Sequence, residues 1–271
     1  MIRNAEACIK SGDIQGAMFS LKEHIRDNPA DAEPRIFLFQ LLAVAGDWGK
    51  ALTQLNVAAD LDGAALLMAQ TCRELIHCEE FRSSVFAGQR APLVFGEPEQ
   101  WIATLIQSLA PASDGDAAVA AELAGKAFAD AQATSGTLDG ERFEWIADAD
   151  MRLGPAMEVV VNGKYYWVPF SSIAEVNFQK PVDLRDLVWI PAEFKWKNMG
   201  ESVGFIPVRY TGTPEDDQLL LARKTVWNDL GNEYFTGEGQ RVLSTDQSDY
   251  SILDIRQITF DQPQADVPLT N

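Results

Sequence analysis

The sequence is short of several things, and each shortage excludes something. It has 3 Cys in 271 residues, Cys8, Cys72 and Cys78, too few and too clustered for a disulfide scaffold, and this fits a reducing compartment. Its 2 His, His24 and His77, leave little for imidazole acid–base chemistry. Basic residues are scarce, 22 Lys+Arg against 40 Asp+Glu for a net charge of −18. A nucleic acid or an anionic membrane surface would be repelled, since both are held through Lys and Arg. No basic half hides inside that total, because residues 1–140 and 141–271 each carry −9. Long apolar runs are also missing. The uncharged apolar stretches, Ala64–Cys72 among them, all fall short of the ~18 residues needed to span a bilayer. The start, Met1-Ile2-Arg3-Asn4-Ala5-Glu6, puts an acid where a secretory apolar core would lie. The expected location is cytoplasmic. No Gly-rich phosphate loop with a following Lys-Ser/Thr is present, so nucleotide hydrolysis has no support.

What is present is a 46% hydrophobic, 23% charged chain, the balance of a protein with a real core, and its length suggests about two domains. The first half reads as helices. Ile14, Ala17, Met18, Leu21 and Ile25 form one apolar helical stripe, stopped by Pro29, and Trp48, Ala51, Leu52, Leu55 and Ala59 form a second. The two overlay at a spacing of 34 residues, Gly12-Asp13 on Gly46-Asp47, Ala17 on Ala51 and Leu21 on Leu55. That is the tetratricopeptide period, with Gly-Asp turning the chain and a small Ala letting paired helices approach. A third copy would put Gly-Asp at Glu80-Phe81, so the register ends after two. Helices over Ala64–Cys78, Trp101–Leu109 and Ala117–Ala133 are expected to complete the stack, with Pro111–Gly115 and Thr134–Thr137 as loops around the last. Such a stack presents a concave surface suited to a peptide or helix.

After Trp145, β-branched and aromatic residues take over. Val159–Val161, Asn162-Gly163 and Lys164–Val168 spell a hairpin with a type I′ turn. Further strands are expected at Leu187–Ile190, Phe205–Val208, Leu219–Ala222 and Ile252–Ile255. The predicted architecture is therefore α+β: a TPR-like helical hairpin stack over 1–140, a compact β-rich domain over 141–262 and a loose tail over 263–271.

The wording of the second half resembles a known family. Trp145-Ile146-Ala147-Asp148-Ala149-Asp150, Arg152-Leu153-Gly154-Pro155, Glu158 and Asn162–Phe170 carry the likeness, which continues through Asp183–Trp189, Ile206–Tyr210, Leu221–Trp227, Gly239-Gln240-Arg241 and Leu253–Arg256. The first half joins in with its Gly-Asp hairpins, Phe81-Arg82, Val85–Gly88 and Gly96-Glu97-Pro98 before Trp101. These residues, in this order, resemble the ImpE family, also called SciE or TagJ, accessory proteins of bacterial type VI secretion. The chain departs from the family pattern at His77, usually basic, and at Cys78, usually small, so no family-wide role falls on those two. The resemblance implies a non-catalytic adaptor that binds the small subunit of the contractile sheath through that subunit's N-terminal helix. Some family members also associate with the ClpV unfoldase. Not every type VI system has such a protein, so the implied role is accessory.

Candidate sites follow. Cys72, His77, Cys78 and Glu79 suggest metal, but on a helix Cys72 and Cys78 stand roughly 120° apart and cannot easily meet one tetrahedral ion. Asp148 and Asp150, if extended, share a face where a divalent cation or an acid–base pair could form, joined by Asp183 and Asp186. That is the rival reading of the chain, a metal-dependent enzyme. The alternative is a structural network in which these acids pair with Arg152, Arg185 or Arg209, and Arg185-Asp186 and Asp254-Ile255-Arg256 repeat the same juxtaposition. No cofactor is expected. Most of the second half's tryptophans, Trp145, Trp167, Trp189, Trp196 and Trp227, are expected in the core. Tyr165, Trp167, Trp189 and Trp227 are the expected contributors to a partner groove or its floor, because large aromatics anchor interfaces. A third reading is a helical scaffold for an unrelated partner.

Overall fold

The computed structural model describes residues 2–262; the tail expected over 263–271 lies outside them. Eight helices come first: α1 (Ile2–Ser11), α2 (Ile14–Asp27), α3 (Glu33–Val44), α4 (Trp48–Leu61), α5 (Leu66–Phe86), α6 (Gln100–Gln107), α7 (Leu109–Ser113) and α8 (Ala117–Asp130), with a two-residue strand β1 (Leu93–Val94) between α5 and α6. The two 34-residue units are the hairpins α1–α2 and α3–α4. Gly12 and Gly46 take φ of +83° and +73°, where a side chain would be strained. Asp13 and Asp47 then accept from the Gly16 and Lys50 N–H as N-caps. Ala17 and Ala51 are fully buried at the helix crossings. The register ends where α5 runs on for 21 residues, straight through Glu80-Phe81. Pro111 does not mark a loop: it sits in the first turn of α7, where its missing N–H costs nothing.

The strands follow: β2 (Gly136–Leu138), β3 (Glu141–Phe143), β4 (Ile146–Asp148), β5 (Ala156–Val161), β6 (Lys164–Pro169), β7 (Ile173–Phe178), β8 (Trp189–Trp196), β9 (Glu201–Pro207), a short helix α9 (Asp217–Leu220), β10 (Thr225–Asp229), β11 (Phe235–Gly239), β12 (Val242–Thr245), β13 (Asp249–Ser251) and β14 (Gln257–Phe260). A nine-stranded sheet runs in the order β1-β6-β5-β9-β8-β7-β14-β2-β3, with β13-β12-β4 and β10-β11 beside it. The large sheet is antiparallel except that β1 lies parallel to β6. Asn162 and Gly163 both have positive φ, 50° and 68°, as the β5–β6 hairpin requires. The α+β architecture expected from the sequence, helices and then a β-rich region, is the one found. Gly140 falls on the β2–β3 turn, ten residues after α8 ends at Asp130.

Two expected strands are not strands. Leu219–Ala222 lies on α9 and the turn after it, because the Asp216 carboxylate accepts from the Gln218 and Leu219 N–H and starts a helical turn. Ile252–Ile255 is the turn between β13 and β14, burying Ile252 and Ile255 three residues apart. Both are short apolar runs, for which strand and buried helical turn look alike.

One apolar cluster joins the helices to one face of the sheet, with Leu38, Leu41, Leu75, Ile76 and Leu105 against Val160, Tyr165, Trp167 and Trp189. A second lies between the sheet's other face and the strands and turns beyond it, around Val159, Phe170, Phe194, Leu243 and Ile258.

Candidate functional site

α5 carries a face of Cys72, Leu75, Ile76, Glu79, Arg82 and Phe86, all buried, at the three-to-four-residue spacing that faces the sheet. Two members are charged, and they start a buried polar network. Arg82 donates to both Glu158 carboxylate oxygens on β5, at 2.6 and 2.9 Å, to Glu79 at 3.2 Å and to the Arg209 carbonyl at 2.8 Å. Glu158 also accepts from the Tyr165 hydroxyl and from Arg241, and Arg241 reaches Asp148 with its other terminal nitrogen. The line Glu79–Arg82–Glu158–Arg241–Asp148 thus alternates charge through the middle of the protein. Burial alone would raise the Glu158 carboxyl, but Arg82 and Arg241 outweigh it and hold it down at about 2. Asp148 goes the other way: burial pushes it up to about 6 against the pull of Arg241.

The expected aromatic anchors divide. Tyr165, Trp167 and Trp189 are all buried, so their rings are closed to a partner's side chains. Trp167 Nε1 donates to the Tyr165 hydroxyl at 2.8 Å, and Trp189 Nε1 donates to Glu79 at 2.9 Å while its ring meets Trp48. Trp227 alone of the four is exposed, at 40%.

The acids also divide. Asp150 takes the Arg152 side chain and the Gly237 N–H; Asp148 takes Arg241, the Tyr210 hydroxyl and the Asp150 N–H. A cation at this pair would have to displace two guanidinium groups. Asp183 pairs with Arg185, and Asp186 caps the same turn by accepting from the Val182 and Asp183 N–H. Arg209 was expected beside a carboxylate and is not there. It donates instead to the Val44, Leu220 and Ala43 carbonyls, and burial pulls it down to about 10. Arg256 likewise binds the Leu253 and Ile255 carbonyls. On α5, Cys72 and Cys78 are buried while His77 is exposed. Among the described residues no three His, Cys, Asp or Glu side chains converge as metal ligands, and no helix is long and apolar enough to cross a membrane.

Sequence reasoning missed Glu79, Arg82, Glu158 and Arg241 as a network. The only signal was that a strand reading Ala-Met-Glu-Val-Val-Val places one acid among apolar neighbours. A carboxylate there needs a partner.

The outer surface carries a different feature, the β10–β11 hairpin. Register pairs Trp227 with Gly237 and Asp229 with Phe235, so Trp227 and Phe235 are diagonal neighbours on one face. Both are exposed, as are Val226 and Leu230. Tyr210 backs Trp227 with ring centroids 5.7 Å apart. Asp229 and Glu233, exposed acids, border the patch.

A stack of helical hairpins locked onto a sheet by a closed polar network, with an apolar hairpin left on its surface, is the build of an α+β scaffold. Comparisons with known proteins narrow that class. The family described as ImpE protein matches residues 140–259. The type VI secretion system accessory component TagJ of Pseudomonas aeruginosa is 43% identical over 263 residues, covering 96% of this chain and 92% of that protein. The crystal structure of protein VPA1032 from Vibrio parahaemolyticus superimposes with a TM-score of 0.89 at 27% identity, over 96% of this chain and 98% of the other. The chain belongs to the ImpE family.

Proposed function

We propose that this protein is a non-catalytic accessory adaptor of a type VI secretion system, working in the cytoplasm. It binds a helical segment of the small sheath subunit, with the ClpV unfoldase as a second partner. The observation that carries the reading is the β10–β11 hairpin. Trp227 and Phe235 offer adjacent apolar anchors, backed by Tyr210, and Asp229 and Glu233 at the border suit a helix with a basic polar face. The 43% identity to a protein named as a type VI accessory component supports the setting. Tyr165, Trp167 and Trp189, being buried, act only indirectly, by fixing the helical layer to the sheet.

The test is fluorescence anisotropy with a labelled peptide of the sheath subunit's N-terminal helix. Trp227→Ala and Phe235→Ala should each weaken binding, Trp227→Ala by about tenfold or more, as a central aromatic anchor does. Wild-type affinity in both folded variants overturns this surface, and no binding by the wild type overturns the partner.

A further inference from the structure

Where the α3–α4 turn meets the loop after Arg209, the surface opens into a cleft of about 170 Å³. Its walls include Gly46 and Trp48 on one side, Glu79 and Arg82 below, and Arg209, Thr211 and Gly212 on the other. The charged lining groups, one acid and two arginines, sum to +1 in a protein whose total is −18. Glu79 is already engaged, one oxygen by Trp189 and the other by Arg82. Arg82 spends four of its five N–H donors on Glu158, Glu79 and the Arg209 carbonyl. Arg209 is different: it is buried, and it meets only carbonyl oxygens. Beside it, the Thr211 hydroxyl is buried with no hydrogen-bond partner. Among the described residues nothing accepts from the Thr211 or Gly212 backbone N–H. A buried guanidinium that feels Glu79 but has no carboxylate at ion-pair distance, a buried orphan hydroxyl and unpaired backbone N–H groups in the cleft lining call for acceptor oxygens carrying negative charge.

We propose that this cleft binds a small oxyanion, a phosphate or carboxylate group, with Arg209 supplying the charge and Thr211 the directional hydrogen bond. The volume corresponds to roughly half a dozen waters at ~30 Å³ each, which is room for inorganic phosphate or malonate. Because Arg209 also holds the last carbonyls of α3, an occupant would tie the α3–α4 turn to the loop that leads to α9.

The full chain is titrated with inorganic phosphate and, separately, malonate, at ionic strength fixed with sodium chloride, and followed by calorimetry and by melting temperature. Saturable heat and a rising melting temperature with either probe, beyond the chloride control, are expected. Binding of one probe alone tells which oxyanion chemistry the cleft takes. Thr211→Val, which keeps the shape and removes the hydroxyl, should weaken binding by about fivefold. Thr211→Ser, which keeps the hydroxyl, should bind as the wild type does and covers the case in which the Val variant folds poorly. No saturable response to either probe, or an equal response from a folded Thr211→Val protein, overturns the proposal. So does loss of binding in Thr211→Ser.

Discussion

Glu158 is the residue on which the interior depends, because its single carboxylate stands between Arg82 and Arg241. Glu158→Gln leaves two buried guanidinium groups sharing no anion. It should cost about 3–5 kcal/mol in urea denaturation; a loss below ~1 kcal/mol would mean that the network is dispensable. Its neighbour Asp148 gives the opposite pH signature. Glu158 ionises more readily folded than unfolded, so its stabilisation is present above pH 4.5 and is lost as pH falls towards about 2. Asp148 has its folded value raised from 3.8 to about 6, so it holds its proton better when folded and its contribution falls as pH rises from about 4 to 6. Asp148→Asn removes the ion pair with Arg241 and, with it, that fall. The variant's stability deficit should therefore be larger at pH 4 than at pH 6, narrowing by about 2 kcal/mol, and a deficit constant between the two would contradict the assignment. Pairs close in the chain were legible in the sequence, as with Asp150 beside Arg152 and Asp183 beside Arg185. Arg82 and Glu158 lie 76 residues apart and Glu158 and Arg241 lie 83 apart, and no local spacing announces such a meeting.

Among the elements, the ones that could be read were those whose ends carry their own chemistry. Gly12-Asp13 and Gly46-Asp47 contain both the turn and the N-cap, and Asn162-Gly163 contains the hairpin turn, so each declared itself without tertiary help. The strands β2, β3, β4 and β13 are three residues long, too short for alternation to register, and they exist because a neighbour pairs with them. α5 is a third case: its length was partly visible, but its role as the bolt between layers depends on what it meets. Trp189 of β8 donates to Glu79 of α5. Trp189→Phe keeps most of the ring's packing and leaves a buried carboxylate oxygen without its donor. A loss of about 1–3 kcal/mol is expected, with faster amide exchange along the Glu79 turn of α5; unchanged exchange there would show that α5 is held by apolar packing alone.

For the whole molecule, the charge of −18 is more than a filter against nucleic acids. Three arginines, Arg82, Arg209 and Arg241, are buried, but so are five acids, Glu79, Asp148, Asp150, Glu158 and Asp186, so the interior nearly balances itself and almost all of the negative charge stays on the surface. A basic amphipathic helix approaching the Trp227 hairpin would then be steered by the whole field and held by local apolar contact. Those two contributions separate kinetically, because long-range attraction acts on the association rate and is screened, whereas buried contact acts on the dissociation rate. Raising sodium chloride from 50 to 500 mM should slow association with the sheath-subunit peptide by on the order of tenfold and change dissociation little. Trp227→Ala should do the reverse, speeding dissociation at every salt concentration. A salt-independent association rate would mean that the acidic surface plays no part in recruiting the partner, and that the hairpin finds its helix by shape alone.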